Sequence, residues 1–291
     1  CHEALDFTAH AGGQEDDSNC ASCHSEGNIA GSIEHDHRME VADARKTMKA
    51  EITRVDRAMP GQFPVVSFKV TNPQTDEAYD IKNDPIFTAE DARLAVGIAW
   101  DTDDYTNTGN QGNNASQVQA DALVDAASNG DGSYSVVMPA ASPDGSLAPG
   151  VAASGSGTAT LEGHPVFELD EDNDGATELV EVPVGDAHRA FSINEADGLA
   201  DERRVSVTIE QCNACHDSLV LHGNNRADNI DSCVTCHNPR NTDRRVREQG
   251  IAQDRARATA GKSEESIDVK TMVHAIHAAG IRDNPLQIIG F

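Results

Sequence analysis

Two stretches of sequence, Cys212-Asn213-Ala214-Cys215-His216 and Cys233-Val234-Thr235-Cys236-His237, decide how the second part of this chain folds. A third copy of the same pattern, Cys20-Ala21-Ser22-Cys23-His24, lies near the start. Two thiols three residues apart lie on one side of a helical turn, where both can add to the vinyl groups of one porphyrin, and the adjacent histidine then reaches the iron. The three C-x-x-C-H motifs therefore predict covalently attached c-type haem at each motif.

Zinc is the main alternative interpretation of these cysteines. The second and third pairs together read C-x2-C-x17-C-x2-C, which is a zinc-ribbon spacing. A zinc ribbon needs no histidine after each pair, however, whereas a histidine follows every pair here, and the pair at Cys20 has no partner pair nearby. A disulfide inside a C-x-x-C motif would be strained and easily reduced. The sequence therefore favours haem over both alternatives.

Cys1-His2 has the form of the end of a fourth motif, whose first cysteine would precede the sequence given. An internal repeat supports this interpretation. In both copies a C-H pair leads through a histidine, His10 or His222, to a complete motif, and the next cysteine follows 19 residues after Cys1 and 18 after Cys215. Repeated spacing of this kind indicates two equivalent haem-pair units. We therefore expect Cys1 and His2 to belong to a fourth haem, and the chain to be a piece of a longer protein.

The distal ligands of the irons are predicted from the histidines outside the motifs. The chain has 12 histidines, of which the proximal ones are His2, His24, His216 and His237. A helix is predicted over residues 267–279, capped by Ser266 and ended by Gly280, and it places His274 and His277 on one face. The predicted distal ligands are His222, His274 and His277 in the second haem segment, and His10 with one of His35 or His37 in the first.

The position of His222 predicts which haem it serves. It follows His216 by only six residues, about 9 Å along a helix axis, so it points away from the opposite face of its own haem. We therefore expect it to ligate a neighbouring haem, and His10 to do the same in the first repeat. His164 and His188 lie far from any motif and are predicted to be surface or core histidines. Iron held by two histidines has no open position for a substrate, which favours electron transfer over haem catalysis.

Composition and charge restrict the class of partner. The chain of 291 residues has 22 Lys and Arg against 49 Asp and Glu, a net charge of −27, and 12 of the basic and 39 of the acidic residues precede Cys212. Such an acidic surface argues against nucleic acid as a partner. Aromatic residues make up only 4%, with one Trp. We therefore expect porphyrin rings to supply part of the apolar interior of the haem segments.

The region between the motifs has a different pattern. It lacks cysteine, and apolar residues alternate in short runs that predict half-buried strands at residues 66–70, 94–100 and 134–138. Further strands are predicted at residues 48–55, 118–123, 158–161, 166–169, 178–184 and 205–209. We predict a mainly β central domain over residues 39–209, an antiparallel sandwich or barrel. It is flanked by haem-packed, irregular or α multihaem segments over residues 1–38 and 210–291.

An acidic stretch inside the β region fits a calcium loop. Asp170, Asp172, Asp174, Gly175 and Glu181 match D-x-D-x-D-G-x5-E, in which alternate oxygens surround a hard cation. The flanks have the pattern of strands rather than of EF-hand helices. Calcium bound on a hairpin and an acidic solvated turn therefore both stay open.

The sequence resembles a known family, the outer-membrane decahaem c-type cytochromes of the OmcA/MtrC type. The resemblance is carried by the second motif with Leu221-His222-Gly223, the third motif with Asn238-Pro239, and residues 265–268 and 272–278. Residues 155–163 also resemble that family's second β domain. The family alternates β and pentahaem domains. This implies that residues 1–38 end one haem domain, 39–209 form the second β domain and 210–291 open the next haem domain.

The resemblance also implies a function. It implies a protein at the extracellular face of the cell outer membrane, or secreted, that passes electrons to metal oxides, metal chelates or flavins. Its implied partners are other multihaem cytochromes or a porin-cytochrome conduit. Some members carry a disulfide in the β domain, and this chain has no cysteine there. Two other classes stay open: a multihaem oxidoreductase with an open-site haem outside this sequence, and a module whose β domain binds a partner cytochrome or mineral.

Overall fold

The computed structural model describes residues 16–25, 39–103, 105, 118–139, 155–171, 175–193, 200–239, 241–244, 247, 262–283 and 286–289. The chain forms two compact units, one of residues 1–43 and 168–180 and one of residues 44–167 and 181–291. The smaller unit contains the first cysteine motif. The larger unit contains the main sheets and the second and third motifs.

The regular elements are antiparallel strands joined by short helices. In chain order the strands are β1 Lys49–Asp56, β2 Val65–Asn72, β3 Glu77–Ala78, β4 Arg93–Trp100, β5 Val118–Asp121, β6 Ala127–Ser128, β7 Tyr134–Val137, β8 Ser156–His164, β9 Val166–Leu169, β10 Glu178–Glu181, β11 Ala187–Ser192, β12 Val220–Leu221 and β13 Arg226–Ala227. The helices are α1 Cys20–Cys23, α2 Glu40–Arg45, α3 Pro85–Thr88, α4 Ala122–Asp125, α5 Ile209–His216, α6 Ile230–Cys236 and α7 Val269–His277, with 3-10 turns at Asp17–Asn19 and Ala279–Ile281.

Two antiparallel sheets make up the β domain of the larger unit. The first has the strand order β1-β2-β7-β6, with β3 paired to β2, and the second has the order β11-β8-β4-β5. Alternate residues of β2, Val66, Phe68 and Val70, are fully buried and share one core with Val96 and Trp100 of β4. Because each sheet gives one apolar face to this core, burial stabilises both together. The prediction of a mainly β, antiparallel central domain is confirmed.

β4 and β8 are the central strands of the second sheet, and both are buried on both faces. The half-buried prediction for residues 94–100 is therefore wrong for β4, because the small residues Ala95 and Ala99 between its large ones are covered as well. Small residues let neighbours approach closely. A Cβ added at Gly157 would lie 2.4 Å from a ring atom of Phe191.

The predicted strand at residues 205–209 is also wrong. Val205 and Val207 are 68% and 38% exposed and belong to no strand. Thr208 instead forms a capping box with Gln211, so the chain enters α5 at Ile209. No strand is predicted for β11, because its alternation is weak: it forms an edge strand whose one well-buried residue is Phe191.

The described part of the smaller unit contains a 3-10 turn, α1 and parts of α2, β9 and β10. Its first motif follows a 3-10 turn in which the side chain of Asp16 accepts a hydrogen bond from Ser18 N at 2.9 Å. β9 and β10 pair with each other in a two-stranded sheet. Among the described residues of the whole chain, none of the helices is both long and apolar enough to cross a bilayer.

Candidate haem-binding site

The three C-x-x-C-H motifs lie on short helices, the first on α1, the second in the last turns of α5 and the third on α6. In the first and third motifs the histidine N–H donates to the carbonyl of the first cysteine, at 2.9 Å for both His24 and His237. None of the six cysteines of the motifs forms a disulfide. Each motif thus presents two thiols and one imidazole from about one helical turn, which is the arrangement that thioether attachment needs.

Caps in the preceding residues fix where α5 and α6 begin. Thr208 and Gln211 close the capping box of α5, in which Thr208 N donates to Gln211 Oε1 at 3.0 Å. Asn229 caps α6 by accepting from Ser232 N at 3.0 Å. The first turn of each helix is therefore held by its cap, and the following turn carries the motif.

A second imidazole lies beside the histidine of the third motif. The rings of His222 and His237 have centroids 5.9 Å apart and planes at 29°. Metal–imidazole bonds are about 2 Å long, so histidines on opposite sides of one iron have ring centres about 6 Å apart. His222, at the turn between β12 and β13, therefore has the spacing of an axial partner of His237.

The histidine of the second motif has a similar neighbour. The rings of His216 and His277 have centroids 6.0 Å apart and planes at 90°. Rotation about each bond to iron leaves the angle between two axial rings free, so the spacing is the relevant quantity. His277 ends α7, and His274 lies exposed on the same helix. His274 is not paired with another imidazole within the described residues.

The protonation of these rings fits ligation. Nδ1 of His237 lies 2.8 Å from Ile267 O, and Nδ1 of His277 lies 2.8 Å from Val273 O. A carbonyl only accepts, so Nδ1 donates in both rings and leaves Nε2 for a metal. Burial also lowers the pKa of His237, which keeps it neutral. Both rings thus leave Nε2 for a metal and have the second hydrogen bond that orients a metal-bound histidine.

Apolar side chains next to the paired histidines are exposed. Leu221 precedes His222, and Val273 and Ile276 precede His277 on α7, with exposures of 50%, 43% and 58%. A porphyrin is a large apolar surface, and covering these side chains with it would remove them from water. The residues present therefore fit haem by spacing, protonation and polarity.

The cysteines of the second and third motifs do not come together as the ligands of a zinc ribbon would. In the part of the chain that the structure describes, no group of three or more His, Cys, Asp or Glu could hold a metal ion. The four cysteines of the zinc-ribbon spacing therefore do not form a zinc cluster.

Comparison with known families identifies the part of the chain that carries this site. Residues 204–287 match the family described as outer membrane cytochrome MtrC/MtrF-like, domains II/IV. The resemblance to the OmcA/MtrC type is confirmed. We call residues 204–287 the MtrC-like segment.

One solved structure of this family agrees with the chain at the level of the fold. The chain is similar to the crystal structure of MtrC from Shewanella baltica OS185, with 17% identity, a TM-score of 0.50, and coverage of 96% of this chain and 46% of that chain. The crystal structure of the outer membrane decaheme cytochrome OmcA matches with 19% identity, a TM-score of 0.47, and coverage of 81% and 34%. The chain spans less than half the length of either. None of the curated proteins matches.

Asp228 joins the parts of the MtrC-like segment, and no motif in the sequence marks it. Its carboxylate accepts from Asn213 Nδ2, Ser218 Oγ and Leu219 N at 2.9 Å each, and pairs with Arg45 at 2.6 Å. Burial opposes the charge, but the hydrogen bonds from Asn213, Ser218 and Arg45 hold the pKa of Asp228 below its ordinary value. Asp228 therefore ties α5 to the hairpin that carries His222.

Asp243 plays a comparable part after the third motif. It forms a fully buried ion pair with Arg247 at 2.7 Å, and its two oxygens also accept from Glu265 N at 2.7 Å and Ile289 N at 2.9 Å. Val269 N donates to His237 O at 3.0 Å, which brings α7 to the motif. These contacts hold the chain that leads from His237 to His277. They join residues far apart in sequence, so local patterns cannot reveal them.

The acidic loop is only partly described. Asp170 Oδ2 accepts from Gly175 N at 2.9 Å. Glu181 Oε2 lies 3.2 Å from Asn224 Nδ2 and 3.7 Å from His164 Nε2. Asp172 and Asp174 lie outside the described residues. Calcium binding by this loop stays a prediction.

The remaining predictions concern histidines inside the β domain and residues of the first haem segment. His188 is partly exposed and lies 2.9 Å from Asn229 Nδ2, and His164 is buried in the second sheet. Neither is paired with another imidazole in the described part of the chain. The residues of the predicted first haem segment that lie outside the described residues are Cys1, His2, His10, His35 and His37.

Proposed function

We propose that this protein is a multihaem c-type cytochrome that relays electrons through bis-histidine haems. The observation that carries the proposal is the pairing of two motif histidines with His222 and His277, at ring separations of 5.9 and 6.0 Å. The haems, when bound, supply one-electron redox chemistry at iron. With haem bound, the two histidines of each pair would supply both ligands to the iron outside the porphyrin plane. The protein therefore moves electrons without binding a substrate at the metal.

The residues of the MtrC-like segment fix the relative positions of neighbouring haems. His216 and His222 are only six residues apart, yet they belong to different axial pairs. Asp228 links the helix of the first to the hairpin of the second. Two haem sites held by one short, hydrogen-bonded stretch stay at a fixed separation, which multi-step electron transfer requires.

The family suggests where the relay operates. Its members are described as outer membrane cytochromes, and we propose that this protein works at the extracellular face of the outer membrane or after secretion. Electrons would arrive from other multihaem cytochromes or a porin-cytochrome conduit and leave to metal oxides, metal chelates or flavins. Residues 1–38 would close one haem domain, 39–209 form the β domain between, and 210–291 open the next.

The cofactor complement follows from the ligand residues. We propose haem c at each complete motif, a further one at Cys1 and His2, and distal ligation by His222, His274 and His277, with His10 and one of His35 or His37. Calcium would bind weakly through Asp170, Asp172, Asp174 and Glu181. If calcium changes neither the melting temperature nor the native mass, the loop is a solvated turn.

Oxidation of the reduced protein tests the relay. In stopped-flow experiments, the fully reduced haemoprotein should be oxidised by ferric chelates and by flavins, and carbon monoxide should not shift its spectrum because no iron position is open. Failure to react with either acceptor would contradict the relay. A haem that binds carbon monoxide in the intact protein would favour the multihaem oxidoreductase instead.

A further inference from the structure

Asp186 is a buried carboxylic acid at the base of the hairpin that carries His222. Its backbone N–H donates to Ala227 O at 2.8 Å, and its Oδ1 accepts from Ala227 N at 3.1 Å. Its own carbonyl accepts from Asn229 Nδ2 at 2.9 Å. Asp186 is therefore held in one place by β13 and by the residue that caps α6.

Only one of the two carboxyl oxygens of Asp186 is hydrogen-bonded. Oδ2 is buried and makes no hydrogen bond of ordinary geometry within the described residues, and neither does the buried hydroxyl of Ser232 on α6. The Ser232 hydroxyl nevertheless lies close enough to favour the charged form of Asp186. Burial raises the pKa of Asp186 to about 7, against opposing contributions from Ser232 and the Ala227 N–H. A buried carboxylate without compensation is costly, and proton binding is the usual remedy.

The Asp186 carboxyl lies close enough to the third motif to interact with it electrostatically. The charge of Asp186 acts on the thiol of Cys233, where it adds to burial in raising the pKa. The charged groups on the surrounding elements are Arg226 on β13, Asp228 after it, Asp231 on α6 and His188 on β11. Asp228 disfavours the Asp186 charge, and Asp228 itself is paired with Arg45 at 2.6 Å. No basic group within hydrogen-bond distance of Oδ2 is found in the described part of the chain.

We propose that Asp186 is a proton-binding site coupled to reduction of the haem attached at Cys233 and Cys236. This inference rests on the proposed function, because it requires that haem. An electron delivered by a reduced cytochrome converts ferric iron to ferrous iron and removes one positive charge from the site. The Asp186 carboxylate then loses a favourable charge and binds one proton from solvent at Oδ2. Oxidation by the acceptor reverses both steps.

The coupling has a defined sign. The negative Asp186 carboxylate stabilises ferric iron more than ferrous iron, and protonation of Asp186 removes this preference. Because rising pH deprotonates Asp186, it favours ferric iron. The reduction potential of this haem should therefore fall with pH, approaching about 59 mV for each tenfold change in proton concentration. The slope should appear on both sides of pH 7, because burial holds the pKa of Asp186 at about 7.

Redox titrations of the haem-loaded chain at several pH values test the proposal. Asp186→Asn keeps an oxygen that can accept from Ala227 N but cannot bind the proton, so the pH-dependent component should disappear. Asp231→Asn is the matched control: it removes a more exposed carboxylate near the same motif and should keep the component. Ser232→Ala leaves the acid in place and removes a group that lowers its pKa, so the slope should move to higher pH.

The outcomes separate this inference from the function on which it rests. A protein without covalent low-spin haem would contradict the proposed function. A low-spin haemoprotein whose potentials vary equally with pH in wild type and Asp186→Asn would overturn the proton site alone. The proton site would also be overturned if the pH range of the slope in reduction potential were the same in Ser232→Ala as in wild type. Retention of the low-spin spectrum in Asp186→Asn verifies that the variant keeps its axial ligands.

Discussion

Under the proposed function each distal histidine binds one iron, and its removal is the most local test of the site. His222→Ala and His277→Ala should each convert one haem from low spin to high spin, because the thioether bonds and the proximal histidine keep the haem in place while one axial position opens. Magnetic circular dichroism of the ferric protein would measure the change, and carbon monoxide should now bind one reduced haem in each variant.

Two other histidines provide matched controls. His164 is buried in the second sheet and His188 lies beside Asn229, so His164→Ala and His188→Ala should leave every haem low spin. If His274 binds a haem that is attached elsewhere in the protein, His274→Ala should also convert that haem from low spin to high spin. Unchanged spectra for both His222→Ala and His277→Ala would break the assignment of axial pairs.

Asp228 should make the stability of the protein depend on pH. Its pKa in the folded protein lies below the ordinary value of 3.8, so its carboxylate contributes stability above that value, and the contribution is lost as the pH falls through the folded pKa. Asp228→Asn should lower the melting temperature at neutral pH and reduce the further loss on acidification. Thermal melts across the acidic range measure this, with the exposed Asp217→Asn as control. Identical acid profiles in Asp228→Asn and wild type would refute it.

Sequence predicts ligand types better than it predicts their pairing. The C-x-x-C-H spacing marks the proximal histidines because one helical turn contains the whole motif. The sequence also predicts that His222 binds a neighbouring haem, but it does not identify that haem. His222 lies beside His237 because the β12–β13 hairpin turns the chain back toward α6. The left-handed backbone at His222, with φ 57°, is part of that turn and has no sequence signature.

Among the elements, β8 depends most on a glycine. Gly163 has φ +138°, and a Cβ there would lie 2.2 Å from the carbonyl oxygen of Arg93 on β4. Gly163→Ala should therefore destabilise the β domain by about 1–3 kcal/mol from backbone strain, with more from the clash. Denaturant unfolding would measure the loss.

Gly185→Ala, in the loop before β11, is the control for Gly163→Ala. No atom would lie within 4 Å of its Cβ, so its effect should be close to zero or slightly stabilising. Equal stability of Gly163→Ala and Gly185→Ala would mean that β4 and β8 do not approach as closely as described.

The predicted elements differ from the observed ones where capping or edge position decides. Alternation predicts β2 well, because one of its faces meets the core and the other does not. It misleads at residues 205–209, where the capping box of Thr208 starts a helix instead. The last helix is predicted over residues 267–279 but spans Val269–His277, because Asp268 rather than Ser266 supplies the cap and a 3-10 turn follows.

At the scale of the whole molecule, the larger unit combines a β sandwich with the MtrC-like segment. Asp186, Asp228 and Asp243 bind backbone and side chains far from them in sequence, and each holds a stretch that carries a motif or a distal histidine. Such contacts cannot be predicted from local spacing. Fold class and the C-x-x-C-H motifs follow from local composition and spacing, so both are accessible from the sequence; attachment of haem at the motifs stays a prediction.

The central claim is that the chain holds covalent haem between paired histidines. The most direct measurement combines the intact mass with the optical spectrum of the purified, haem-loaded protein. We predict a mass increase of whole haems, at least three for the three complete motifs, colour that acid acetone does not extract, and sharp low-spin c-type bands on reduction. A colourless protein containing zinc, or haem that is extracted or high spin throughout, would contradict the account.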